Sequence, residues 1–124
     1  MTMTRLRLAF LALAIGFAPG LASAQVNPFK GRGADRLNSQ DVQMLMDASN
    51  RLLAEPSPSV GATESWKNTR SGASGTVRLE STTQLRDMPC RVLIYRGRSS
   101  AGAGPRDATL TWCRVADGRW MIAP

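Results

Sequence analysis

The sequence predicts an α+β domain: one N-terminal helix followed by a four- to five-stranded antiparallel meander, open or curled, closed by one disulfide. Three observations carry that reading. The apolar period is helical over residues 38–53. Beyond residue 63 the period changes to two. Every later connection is short enough for a hairpin, and none is long enough for a helical crossover between parallel strands.

A chain of 124 residues has room for one domain. At 43% hydrophobic and 20% charged it matches neither a disordered chain nor a polytopic membrane protein. It has no histidine, which removes the commonest metal ligand and the commonest general acid–base. Two cysteines are too few for a four-thiolate zinc site, and no cofactor is expected.

Residues 1–24 read as a signal peptide. Arg5 and Arg7 form a positive start, residues 8–17 are apolar apart from Gly16, and Pro19-Gly20 break the run. Ala22-Ser23-Ala24 is the small-x-small triplet of a cleavage site, placing the cut between Ala24 and Gln25. The run is shorter than the ~20 residues that span a bilayer, so no transmembrane span is expected in the mature chain. No cysteine follows the cut to carry a lipid, and no twin-arginine pair precedes the apolar run. The expected location is the periplasm, the outer-membrane periphery or the cell surface. The remaining chain holds 14 basic and nine acidic residues, a net charge of +5, and 12 of the 14 are arginine. Residues 25–37, with Lys30, Arg32, Arg36, Pro28, Gly31 and Gly33, read as a flexible basic arm before a single domain over 38–124.

In the helix, Asn38 is placed to cap the first turn, with Asp41 three residues on, where a carboxylate meets the positive end of the helix dipole. Leu37 and Val42 have the spacing of a hydrophobic staple. Val42, Leu45, Met46, Leu52 and Leu53 form one apolar stripe with Ser49 in its middle, and Pro56 and Pro58 end the helix. Residues 57–63 connect to a short strand over 63–68 that carries Trp66. After a turn at 69–74, residues 75–84 alternate, with Val77 and Leu79 on one face and Thr76, Arg78, Glu80 and Thr82 on the other. A turn at 86–89 leads to 90–96, apolar on both faces and therefore a central strand. A Gly/Ser/Ala-rich loop over 97–106 precedes a strand over 108–115, the Asp117-Gly118 turn and a closing strand over 119–122.

Cys90 and Cys113 are the two cysteines of an exported chain, so a disulfide is the expected state. The strand pattern supports it separately. Folding 90–96 back on 107–113 with Cys90 opposite Cys113 also sets Arg91 opposite Trp112, Leu93 opposite Leu110 and Tyr95 opposite Ala108. In that register Arg91 is expected to lie over the Trp112 ring as a cation–π pair. A redox-active pair would have its cysteines much closer in sequence.

An ordered set of short motifs then stands out: Trp66-x-Asn68-x-x-Ser71-Gly72-x-x-Gly75-x-Val77, Cys90-Arg91, Cys113-Arg114, and Asp117-Gly118-x-Trp120. The set resembles the C-terminal domain of the seventeen-kilodalton outer-membrane surface antigens, the rickettsial-type surface-antigen family, over residues 63–122. The resemblance implies an envelope location and a small β-rich domain with a non-enzymatic structural or interaction role. Members of that family are typically lipoproteins with a glycine zipper before this domain. This chain has neither feature and carries the 38–53 helix instead.

Two further sites are candidates. Trp66, Trp112 and Trp120 could form an aromatic platform for a glycan, but tryptophans on strands are usually core. Arg78, Arg91, Arg96, Arg114 and Arg119 could form an arginine-rich sheet face that binds anionic envelope glycans, peptidoglycan or lipopolysaccharide, through bidentate contacts. The competing reading is a solvated face. Envelope glycan or an outer-membrane protein are the expected partners; nucleic acid would suit the charge but not export. No catalytic constellation is present: a serine nucleophile would lack a histidine base, and Asp87, Asp107 and Asp117 are expected in turns. The chain is not expected to be an enzyme.

Overall fold

The computed structural model describes residues 37–99 and 106–124. Helix α1 (Ser39–Ala54) is followed by β1 (Thr63–Lys67), β2 (Ser74–Leu85), β3 (Met88–Arg98), β4 (Arg106–Arg114) and β5 (Trp120–Ile122). The strands pair in chain order as one antiparallel meander, and the sheet is open, with β1 and β5 at its edges. The α+β reading, the strand count and the disulfide therefore all hold. The expected signal peptide, the expected Ala24–Gln25 cleavage site and nearly all of the expected basic arm lie outside the described residues, as does the middle of the 97–106 loop. No helix among the described residues is long and apolar enough to cross a membrane.

α1 begins as its sequence requires. The Asn38 side chain accepts from the Asp41 backbone N–H at 2.8 Å, and the Asp41 carboxylate accepts from the Asn38 N–H at 3.0 Å, a complete capping box. The buried stripe of Val42, Leu45, Ala48, Ser49, Leu52 and Leu53 faces one side of the sheet. Val77, Leu79, Leu93, Tyr95, Leu110 and Trp112 come up to meet it, with Trp66 from β1, in one continuous core. Burying each such side chain contributes roughly 1.5–3 kcal/mol. Val92 and Ile94, on the opposite face of β3, stay half-buried.

The β3/β4 register is the one the alternation predicts, from Cys90 opposite Cys113 to Tyr95 opposite Ala108, and the disulfide forms between the two cysteines. Closing a loop of this length stabilises by roughly 3 kcal/mol in the chain-entropy account.

Four local expectations are corrected. β3 starts earlier, because Arg86 and Asp87 both take positive φ and make a two-residue hairpin turn between Leu85 and Met88. Pro89 is then the second residue of the strand, near the end where a missing N–H is tolerated. The 97–106 loop is shorter than expected, since Gly97 pairs with Arg106. Asp107 is consequently a strand residue, not a turn residue. Finally, Glu80 is an extra residue in β2: Leu79 opposes Leu93 but Ser81 opposes Val92. This bulge reverses the alternation, so Thr82 opposes Arg91 and shares its face. Sequence alternation had put Thr82 on the other side, with Thr76 and Arg78.

Candidate functional site

The two ends of α1 organise the polar chemistry of this domain. At the N-terminal end, Asp41 is only 2% exposed. Its Oδ1 accepts from Asn68 Nδ2 and from the Ser71 hydroxyl, both at 2.6 Å, while Oδ2 stays on the helix cap. Asn68 is itself held in the β1–β2 turn. Its Oδ1 accepts from the Arg70 N–H, its carbonyl from the Gly72 N–H, and its N–H donates to the Ala73 carbonyl. Gly72 takes φ +80°, which favours glycine. A turn over 69–74 was legible in the sequence; that it clamps a buried carboxylate of the helix was not.

Gly75 completes this end. A Cβ there would come within 2.5 Å of the Arg96 carbonyl oxygen and 2.7 Å of the Trp66 indole nitrogen, so the packing of Trp66 demands a glycine. Under the middle of the helix, Ser49 Oγ and Tyr95 Oη share a short hydrogen bond, and Trp112 Nε1–H donates to Tyr95 Oη at 2.8 Å. Burial is the main cause that pushes the Tyr95 phenol up to about 12, against the opposing pull of those two hydrogen bonds.

At the C-terminal end the direction reverses: a cation of the sheet reaches to the helix. Arg91 Nη1 donates to the carbonyls of Leu52 at 2.8 Å and Leu53 at 3.0 Å, two of the acceptors that a helix end leaves unpaired. Its guanidinium lies over Trp120, 4.7 Å from the ring centroid. The expected Arg91–Trp112 cation–π pair is thus replaced by Arg91–Trp120. The physical reason is a competition: the helix carbonyls draw the guanidinium outward, while the Trp112 indole is committed inward to Tyr95.

Beside this pair opens a cleft of about 570 Å³. Pro56, Ser57 and Pro58 form one wall, Thr82, Thr83 and Gln84 the other, and Pro89, Cys90, Arg91, Arg114 and Trp120 complete it. Arg114 opposes Trp120 across the β4/β5 ladder and is exposed. Burial, then the charge of Arg114, hold the Arg91 guanidinium below the usual arginine range, with Glu55 pulling the other way. Two cations therefore line the cleft, and the exposed Glu55 lies outside its lining. Nothing in the sequence marks Thr82 and Gln84 as site residues, because the bulge that turns Thr82 inward leaves no mark in the alternation.

The five arginines proposed for an anion-binding face are sorted by the structure into two groups. Arg78 and Arg96 lie on the sheet face away from the helix. Arg78 stands 3.8 Å from Glu80, and Arg96 makes two hydrogen bonds to Asp107 at 2.9 and 3.0 Å. Arg119 pairs with Asp117 at 2.6 Å inside the hairpin turn, where Gly118 takes φ +89°. The Asp107 carboxyl is held below its usual range by Arg96, and Asp117 by the Arg119 N–H first and its side chain second. Arg91 and Arg114 are brought together in the cleft. Of the three tryptophans, Trp66 and Trp112 are core and Trp120 is half-buried at the cleft. A second, apolar cleft of about 320 Å³ lies near Leu85, Val115 and Met121. No family model matches the chain, and comparison with curated proteins and with solved structures finds no similar protein.

Proposed function

We propose that this chain is an exported cell-envelope domain of the surface-antigen type, which acts by contact and not by chemistry. One observation carries the reading: the motif positions that resemble that family are the parts that assemble the helix on the sheet. Asn68 and Ser71 hold Asp41, Gly75 makes room for Trp66, Val77 is core, and Arg91 joins the helix end to Trp120. The Cys90–Cys113 disulfide fits an oxidising compartment. A motif set of this kind specifies a scaffold, and a scaffold with a stapled sheet suits an exported interaction module. The test is cell fractionation of the tagged full-length chain with N-terminal sequencing. Recovery of an oxidised form beginning at Gln25 in the periplasmic or outer-membrane fraction supports the proposal. Retention in the cytoplasm with free thiols overturns it.

A second reading, a binder of anionic envelope glycans, has one observation in its favour: Arg91 and Arg114 share an open cleft with Trp120. It moves the binding surface from the sheet face to the helix C-terminus. Co-sedimentation of the protein with peptidoglycan and with lipopolysaccharide vesicles across a salt series tests it, because charge contacts weaken as salt rises.

A further inference from the structure

We infer that the cleft beside the C-terminus of α1 is a carbohydrate site for a sugar bearing one anionic group, in which Arg114 and the outer edge of Arg91 hold the anion and Trp120 and Thr82 orient the ring. This rests on the second reading above and gives it a place and a ligand chemistry.

The donor inventory is the first argument. A guanidinium has five N–H donors. Arg91 spends Nη1 on the Leu52 and Leu53 carbonyls; its Nε and Nη2 hydrogens make no hydrogen bond to a described residue. Arg91 is thereby fixed in place while still presenting donors, so little further ordering is needed when an anion arrives. Arg114 makes no hydrogen bond or ion pair with a described residue, unlike Arg51, Arg78, Arg96 and Arg119, which all do. Charge is the second argument. Arg91 and Arg114 line the same cleft and repel each other, and neither forms an ion pair with a described carboxylate. One carboxylate or phosphate between them relieves that repulsion, and charge-assisted contacts of this type are the strong ones.

Shape and composition are the third argument. The cleft of about 570 Å³ falls in the range of small-molecule sites. Trp120 stays half-buried there, and an indole can pack on the apolar face of a sugar while Thr82 and Gln84 meet its hydroxyls. A bare inorganic anion would use the arginines and leave these groups idle. Position matters as well: Thr82 enters the cleft only through the bulge at Glu80, and bulges commonly re-aim a side chain beside a site.

The experiment has two arms on the oxidised full chain. In the first, ¹⁵N NMR follows the indole and backbone resonances during titration with glucuronate, glucose 1-phosphate, glucose and inorganic phosphate. The expected result is movement of the Trp120 indole, Thr82 and Arg114 signals with the charged sugars, a still Trp66 indole, and no response to glucose. Glucuronate against glucose 1-phosphate separates a carboxylate source from a phosphate source. Arg114→Gln should weaken charged-sugar binding by about tenfold, the size of one lost charge-assisted contact. Thr82→Val, which leaves both arginines in place, should weaken it by less. The second arm is co-sedimentation with peptidoglycan and lipopolysaccharide, wild type against Arg114→Gln. Sedimentation that Arg114→Gln does not reduce, with a silent cleft, overturns the site and leaves the glycan reading standing. A response to inorganic phosphate equal to that of the sugars overturns the carbohydrate assignment. Absence of both sedimentation and shifts overturns the site and the reading together.

Discussion

The two ends of α1 are held by opposite logic. At the N-terminal end an anion of the helix, Asp41, reaches to the sheet turn; at the C-terminal end a cation of the sheet, Arg91, reaches to the helix. Both arrangements agree with the helix dipole. They differ in closure. Asp41 is buried and its oxygens are taken up by Asn38, Asn68 and Ser71. Arg91 is only part-buried, keeps donors in reserve and has a second arginine beside it. A satisfied, buried network rigidifies a fold, whereas an open one with spare donors can meet a ligand.

Removing the carboxylate at the closed end should do the most damage. Asp41→Ala takes the acceptor from the Ser71 hydroxyl, leaves Asn68 Nδ2 only its longer bond to Gln40 Oε1 and breaks the capping box, so urea denaturation should show a loss of about 3–4 kcal/mol. A loss below about 1 kcal/mol would erase the contrast between the two ends.

Next comes the phenol beneath the helix. The folded-state value of Tyr95 stands at about 12 against 10.0 for a free phenol. A group whose neutral form the fold prefers contributes fully at lower pH. That stability is intact below pH ~10 and is lost as pH rises through ~12, by about 2–3 kcal/mol in all. Tyr95 is the single tyrosine of the chain, so phenolate absorbance follows it directly. Ionisation near pH 10 in the folded protein would contradict the burial of this network.

At the open end the effect should be smaller. Arg91→Ala removes two bonds to helix carbonyls and the stacking on Trp120, which should cost about 2 kcal/mol. Hydrogen exchange should quicken in the last turn of α1 and stay slow near Leu45. Uniform quickening along the helix would mean that the two ends are one cooperative clamp. Smallest of all, Arg114→Gln should change stability by less than about 0.5 kcal/mol, since this exposed side chain anchors nothing among the described residues. A larger loss in thermal unfolding would make Arg114 part of the scaffold.

Much of this architecture was legible beforehand because it is local. Asn38 and Asp41 announce the helix start, Asp117-Gly118 announces a hairpin, and alternation sets Cys90 opposite Cys113. The site was less legible. Arg91, Arg114 and Trp120 were marked out, but in company with Arg78, Arg96 and Arg119, which the fold pairs with nearby carboxylates. Arg96 meets Asp107 through cross-strand register, whereas Arg78–Glu80 and Arg119–Asp117 are each two residues apart in the chain; that Arg91 and Arg114 are left to line one cleft depends on which strands lie side by side.

The sequence by itself determined the order of elements, the meander, the β3/β4 register and the cysteine pairing, because periodicity, capping and turn chemistry act between residues near in the chain or joined by one hairpin. Only the tertiary structure decided that the Asn68–Ser71 turn grips Asp41, that Arg91 chooses Trp120 over Trp112, and that Thr82 turns into the cleft. The last of these follows from the bulge at Glu80; the first two turn on where α1 lies across the sheet. That placement comes from burying the helix stripe against the β-sheet core, a non-directional force summed over many side chains, which no short stretch of sequence records.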